Sequence, residues 1–378
     1  MATKAQPALK VAIVHDWLTN LGGAERVVLA ISQAFPDAPI YTSVYNPAQL
    51  PQFAHKKVKT SYLQHWPLAK SRHQLYPLAR LRAFESFDFS DYDVVISSSS
   101  AEAKSIITST NTLHVSYIHT PIRYYWSGYK NYLASPGLGP FNPLAKLILP
   151  FKINKLRRID FAAAQRPDVL LANSKTVAGR IKEFYSRDSM VLHPPVELAR
   201  FNPKKASSGD YYLIVSRLIP YKRVDIAVRA FTKLGKRLVI VGDGSQINTL
   251  KGLAGPTVEF KHALDDEEVT KLYLDARAFI FTAEEDFGIT PLEAMAAGKP
   301  VICFGRGGVT ESVIDGKTGI YFEEQTSQSL QKAIQKFEKL KFDNKTIRQR
   351  AEEFATGTFI SQLHNIVSKS YDNTVKKT

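Results

Sequence analysis

Hydrophobic residues along the chain fall into short unbroken runs separated by longer amphipathic stretches. The runs are residues 11–14, 94–96, 115–118 and 169–172 in the first half and 212–215, 238–241, 278–281 and 301–304 in the second. Continuous β-rich runs, without period-two alternation, mark strands covered on both faces, and helical stretches between them make the sheets parallel. His193-Pro194-Pro195 interrupts the series, because two prolines neither continue a helix nor fit a central ladder. A fresh strand–helix series begins near Tyr211. The predicted fold class is therefore α/β, with two Rossmann-like domains, 1–195 and 196–354. Ligands of such sheets bind at the carboxyl ends of the strands, so two facing sheets imply a central cleft. Phe354, Phe359, Leu363, Ile366 and Val367 recur at helical spacing and predict a helix close to the C-terminus.

Composition fits that picture. A length of 378 residues suits two domains, and 44% hydrophobic with 22% charged residues excludes wholesale disorder. No run approaches the roughly 18 apolar residues of a spanning helix, and residues 1–9 lack a signal-peptide core. A single cysteine, Cys303, excludes an internal disulfide and a cysteine-based zinc site. A cytosolic protein is expected. Charge changes the picture more. The net charge is +15, and residues 1–200 hold 24 basic against 13 acidic side chains. Such asymmetry points to an anionic partner for the first half: nucleic acid, a membrane surface or a phosphorylated substrate.

Candidate chemistry sits where strands end. Glu284-Glu285-Asp286-Phe287-Gly288-Ile289-Thr290-Pro291-Leu292-Glu293 follows the run ending at Phe281. Thr290 and Glu293 have the spacing of a capping box, with Pro291 first inside the helix. The turn at Gly288 and the helix start offer N–H groups to an anion, and the acids beside them suit sugar hydroxyls. Glu285 and Glu293 make a poor glycosidase pair, since such carboxylates lie roughly 5–9.5 Å apart across one bond. Arg217 and Lys222, in the loop after residues 212–215, suit a diphosphate. Gly22-Gly23 turns a strand into a helix but lacks the dinucleotide fingerprint. His119 ends a strand and precedes an aromatic loop, 120–126. Gly242 and Gly244 follow another strand and line a nucleotide pocket in this reading. Asp91-Tyr92-Asp93 matches a metal motif but precedes its strand, at the wrong end of the sheet.

Together these segments resemble the retaining nucleotide-sugar glycosyltransferases of family four, which have the GT-B fold. The variants E-E-D-F-G and H-T-P-x-R-Y-x-W are most similar to bacterial mannosyltransferases of O-antigen and exopolysaccharide assembly. The resemblance implies that Arg217 and Lys222 hold the donor diphosphate and that Glu293 binds ribose hydroxyls. It places Glu285 and the amides of Phe287, Gly288 and Ile289 on the donor sugar, and the Gly22 and Gly23 amides on phosphate. His119 would contact the donor sugar near the reacting carbon, and Asp16 would lie near the acceptor. Asp286 stands where Gly is frequent in the family. The terminal helix, about 355–378, would cross back onto the first domain. GDP-mannose is the expected donor, used without a metal or other cofactor, and the acceptor a glycan or lipid-linked glycan.

Two stretches carry the basic surplus. Residues 56–82 include Lys56, Lys57, Lys59, Lys70, Arg72, Arg80 and Arg82 with no acid, and residues 144–158 mix Lys146, Lys152, Lys155, Arg157 and Arg158 with leucine, isoleucine and Phe151. Basic amphipathic segments bind anionic lipid. The expectation is peripheral binding at the inner face of the cytoplasmic membrane, with no nucleic-acid partner. The rivals are a GT-B nucleotide-sugar epimerase and a basic nucleic-acid-binding protein, the latter without a recognisable module.

Overall fold

The computed structural model describes residues 9–72, 75–134, 142–202, 204, 207 and 209–375. The polar residues 1–8, and residues 73–74 of the first basic stretch, lie outside the described residues. The chain divides into two units, Met1–His193 with Phe359–Thr378, and Pro194–Thr358.

The first unit is built on β1 (Val11–His15), β2 (Ile40–Thr42), β3 (Val58–Thr60), β4 (Val94–Ser99), β5 (Leu113–Ile118), β6 (Val169–Ala172) and β7 (Met190–Val191). Their order across the sheet is β3-β2-β1-β4-β5-β6-β7, and each pairing is parallel. The second unit carries β8 (Tyr212–Val215), β9 (Leu238–Val241), β10 (Val258–Lys261), β11 (Ala278–Phe281), β12 (Val301–Phe304) and β13 (Gly319–Phe322). They lie in the parallel order β10-β9-β8-β11-β12-β13. In each sheet the order reverses between the first strand and its neighbour, β1 beside β4 and β8 beside β11. Such a switch point is where loops splay apart and ligands of doubly wound sheets bind.

The apolar runs form these strands because both faces are covered: every residue of β1, β4, β5, β9, β11 and β12 is buried. Helices supply the cover. Helix Gly23–Ala34 buries Val27, Val28, Ala30, Ile31 and Ala34, and helix Val224–Leu234 buries Val224, Ala227, Val228 and Phe231. The terminal helix, Thr356–Val375, presents Phe359, Leu363 and Val367 at steps of four to the core of the first unit. Each such side chain contributes roughly 1.5–3 kcal/mol on burial. Phe354, just before this helix, stays in the core of the second unit.

Candidate functional site

Four loops leave the carboxyl ends of β8, β9, β11 and β12, and backbone hydrogen bonds tie them together. Leu218 N–H donates to Asp243 O at 2.8 Å, Gln246 N–H to Leu218 O at 2.9 Å, and Gly308 N–H to Glu285 O at 2.8 Å. Thr282 Oγ1 donates to Lys222 O at 2.9 Å. The close approach demands glycine. At Gly242 φ is +144°, and a Cβ there would lie 1.9 Å from Ser216 O. Gly244 serves the same packing one loop turn later, with φ +155° against Leu218 O. Glycine spacing thus fixes how tightly the β8 and β9 loops can join.

Lys222 and Glu285 come from the two loops that flank the β8/β11 switch point, and their side chains form an ion pair. Both are largely covered, so the pair sits in a medium where charge is poorly screened. Arg217 is exposed on the same loop as Lys222, its Nη2 donating to Tyr221 Oη at 3.1 Å. A small pocket lies here, bordered by Val215, Ser216, Lys222, Phe281, Thr282 and Ala283. The arrangement puts two cations on the loop after β8, Lys222 paired with Glu285 and Arg217 exposed, so an anion bound here would compete with Glu285 for Lys222.

The following helix departs from the sequence-based expectation. It runs from Ile289 to Ala296 with Gly288 as its N-cap, so the Thr290–Glu293 capping box does not form. The reason is the turn: Gly288 has φ +92°, a conformation that side chains rarely adopt, and it starts the helix two residues early. Glu293 then falls in the second turn. Its carboxylate accepts from Arg200 Nη1 at 3.1 Å and Tyr273 Oη at 3.0 Å. Phe287 is buried, its ring 5.8 Å from that of Phe354, and anchors the loop so that the Gly288 and Ile289 amides follow in fixed positions. Asp286 is buried while Glu284 is exposed.

In the first unit the same logic applies at β1 and β4. Asp16, just past β1, is buried, and its carboxylate accepts three backbone N–H groups, from Ser100 at 2.6 Å, Ala101 at 3.0 Å and Ala103 at 2.7 Å. The expected acceptor-side residue is engaged in shaping the loop after β4. Gly22 N–H, aimed at phosphate by the sequence reading, donates instead to Glu25 Oε2 at 2.8 Å, and Gly23 opens the helix. The other oxygen of Glu25 lies 3.6 Å from His15 Nε2. Burial opposes the charge of His15, but the hydrogen bond and charge of Glu25 outweigh it and raise the imidazole above its ordinary value. His119 follows β5, and its Nε2 lies 2.8 Å from Ser98 Oγ. Burial, helped by the charge of His15, pushes His119 down to about 3, so its ring is neutral. The sequence reading gives His15, Glu25 and Ser98 no site role, although His15 is visibly the last residue of a strand and Glu25 the third residue of a helix.

Two family models match the chain in tandem, Glycosyltransferase Family 4 over residues 21–200 and Glycosyl transferases group 1 over residues 196–354. The chain belongs to the family-four glycosyltransferases. It is similar to a GDP-mannose-dependent alpha-(1-6)-phosphatidylinositol monomannoside mannosyltransferase of Mycolicibacterium smegmatis, 31% identical over 203 residues, 46% of this chain and 52% of that one. It is also similar to the alpha-1,3/1,6-mannosyltransferase ALG2 of Dictyostelium discoideum, 30% identical over 209 residues, 46% of this chain and 49% of that one. The chain thus spans about half the length of these curated relatives. Among solved structures, the Anabaena protein HepE in complex with UDP-glucose superposes with a TM-score of 0.69 at 20% identity, covering 96% of this chain and 100% of that one, which shows the GT-B fold.

Against this family background the two basic stretches differ. Residues 56–82 do not make one amphipathic helix: they hold β3, a 3₁₀ turn at Tyr62–His65, and helices Ala69–Arg72 and Pro77–Glu85. Arg80 is no surface cation. It is buried against Glu102, with Nε and Nη2 donating at 2.9 and 3.0 Å. Lys56 is half-buried and donates to Ser32 O at 3.2 Å, while Lys59 is exposed although it donates to Tyr41 Oη at 2.9 Å, and Lys57, Lys70, Arg72 and Arg82 are exposed too. Residues 144–158 do lie on one helix, Asn142–Ala164. It exposes Leu144, Leu147, Ile148 and Phe151, the last by 82%, beside exposed Lys146, Lys152, Lys155 and Arg158. The Asp91-Tyr92-Asp93 segment precedes β4, where Asp93 Oδ2 accepts the Lys10 N–H at 2.8 Å. No described helix is long and apolar enough to cross a membrane.

Proposed function

We propose that this protein is a retaining glycosyltransferase that moves a hexose from a nucleotide sugar, mannose from GDP-mannose, to a lipid-linked glycan acceptor in bacterial surface polysaccharide or glycolipid assembly. The observation that carries this reading is the Lys222–Glu285 pair at the β8/β11 switch point, with Arg217 on the same loop. Breaking a sugar–phosphate bond puts negative charge on the diphosphate and positive charge on the anomeric carbon. Fixed cations aimed at the leaving oxygen stabilise that state without reorganising. In this reading a donor diphosphate draws Lys222 from Glu285, and Glu285 turns to the hydroxyls of the sugar. The Gly288 and Ile289 amides and the helix start provide further donors, and no residue of the proposed machinery requires a metal or other cofactor. Two relatives whose names specify GDP-mannose support the choice of donor. Thermal-shift screening of GDP-, UDP- and ADP-sugars tests it: GDP-mannose should raise Tm most, and stabilisation by a UDP-sugar alone overturns the mannose assignment. Retention predicts that product NMR shows the anomeric configuration of the donor.

Membrane association at the inner face of the cytoplasmic membrane is part of the same proposal. Four exposed apolar side chains on helix Asn142–Ala164, flanked by exposed lysines and Arg158, have the composition of an interfacial helix. Each cation near an anionic surface adds about 1 kcal/mol. In liposome flotation the protein should rise with phosphatidylglycerol vesicles and remain behind with phosphatidylcholine vesicles at moderate salt. Equal flotation with both removes the electrostatic part of the proposal.

A further inference from the structure

A buried polar chain crosses the switch point of the first sheet and ends at His119. Its members come from four elements: Glu25 from helix Gly23–Ala34, His15 from β1, Ser98 from β4, and His119 at the end of β5. Glu25, His15 and Ser98 are each at most 5% exposed. His15 Nδ1 lies 3.0 Å from Ser98 O and 3.2 Å from Ser98 Oγ. A carbonyl oxygen only accepts, so Nδ1 of His15 carries a proton. Nε2 of the same ring lies 3.6 Å from the Glu25 carboxylate, whose charge favours a second proton on the ring and holds it above its ordinary value, so His15 is an imidazolium paired with Glu25. The His15 Nδ1–H therefore reaches both Ser98 oxygens, and the Ser98 hydroxyl is left to donate its own hydrogen. Ser98 Oγ has one further ring nitrogen in reach, His119 Nε2 at 2.8 Å.

We propose that Glu25, His15 and Ser98 are positioning residues that lock His119 in a single neutral tautomer, with bare Nε2 accepting from Ser98 and the proton held on Nδ1 as a directed donor. The order of polarity runs one way, from carboxylate to imidazolium to hydroxyl to imidazole. Reversing the last bond would point the Ser98 hydroxyl hydrogen back at the protonated Nδ1 of His15, an unfavourable contact in a buried site. The backbone around His119 is pinned as well: its N–H donates to Ser99 O at 2.9 Å, and Asn173 Nδ2 donates to its carbonyl at 2.9 Å. Thr120 Oγ1 and Asn173 Oδ1, both buried beside this end of β5, have no hydrogen-bond partner among the described residues. A ligand hydroxyl there would meet one fixed N–H donor and two groups able to accept. That polyol ligand rests on the glycosyltransferase reading, whereas the tautomer is a property of the free protein.

The test is ¹⁵N NMR of the full-length protein with all nine histidines labelled, the His119 signals assigned by their loss in His119→Gln. Wild-type protein should give a pyridine-like Nε2 and a protonated Nδ1 for His119. Ser98→Ala should replace that pattern by exchange-averaged tautomers, Ser98→Thr should restore it, and Glu25→Gln should remove the second proton of His15. A protonated Nε2 in the wild type, or a His119 pattern unchanged in a folded Ser98→Ala protein, overturns the proposal. In a transfer assay Ser98→Ala should lower kcat about tenfold, the worth of one hydrogen bond, and leave donor KM within twofold. If no nucleotide sugar is turned over while the tautomer is as described, the function reading fails and the relay stands.

Discussion

Replacing Asp160 by alanine is expected to destabilise the first unit by about 3–5 kcal/mol, the cost of stranding a buried charge. Asp160 sits on helix Asn142–Ala164, and its two oxygens collect three donors from three other segments. Lys104 Nζ lies 2.6 Å from Oδ1, Trp126 Nε1 2.7 Å from Oδ2, and Tyr185 Oη 2.8 Å from Oδ2. Lys104 and Asp160 side chains are each 2% exposed. Without the carboxylate, Lys104 keeps only the Ala101 carbonyl, at 2.6 Å, as a described acceptor, and two further donors lose theirs. At roughly 2–4 °C per kcal/mol for a unit of this size, Tm should fall by about 10 °C. The double variant Lys104→Met with Asp160→Leu should recover much of the loss, because a well-packed apolar pair can replace a buried ion pair. Urea unfolding of the three proteins decides it, and a single-variant loss under about 1 kcal/mol would mean that water reaches Lys104.

Lys222→Ala should lower kcat/KM by about 10²–10³, or 3–4 kcal/mol, by analogy with the removal of one transition-state donor. The substitution separates a catalytic cation from a structural one. Lys222 has Glu285 as its side-chain partner and gives its carbonyl to Thr282 through the backbone, which alanine preserves. The Tm should fall as well, because the largely covered Glu285 loses its cation, so transfer is measured well below both midpoints, where the folded variant should still have lost it. Glu285→Gln, which frees Lys222 without deleting it, should retain binding of the nucleoside diphosphate and lose selectivity for the sugar. The two outcomes are read by initial rates and by isothermal titration with GDP. Unchanged kcat/KM in Lys222→Ala would move the diphosphate away from the β8/β11 switch point.

The short apolar runs announced most of the central strands, since β1, β4, β5, β6, β8, β9, β11 and β12 are buried or nearly buried sequences that need no partner to be recognised. The peripheral strands did not stand out. Val58–Thr60 and Val258–Lys261 alternate with exposed Lys59 and Glu259, and Met190–Val191 is two residues long. Their strand character comes from a neighbour already in place. The site followed a similar rule. Loops that end strands could be placed from sequence because the strands could, so Lys222, Glu285 and Gly242 fell together. What a side chain bonds to could not be placed, because it depends on elements far apart in sequence. Asp16 caps a loop more than eighty residues away, Arg80 meets Glu102, and Ser98 stands between His15 and His119. Helix starts erred for a local reason: Gly288 permits a turn that Thr290 does not require.

The terminal helix has a consequence for biosynthesis. Phe359, Leu363 and Val367 complete a core whose remaining members precede His193, so the whole of Pro194–Thr358 is translated between the two parts. The second unit is the first to have all its residues outside the ribosome, and the first unit waits with part of its apolar core uncovered. A released chain ending at Thr358 should therefore be a chaperone client whose second unit is already protease-resistant.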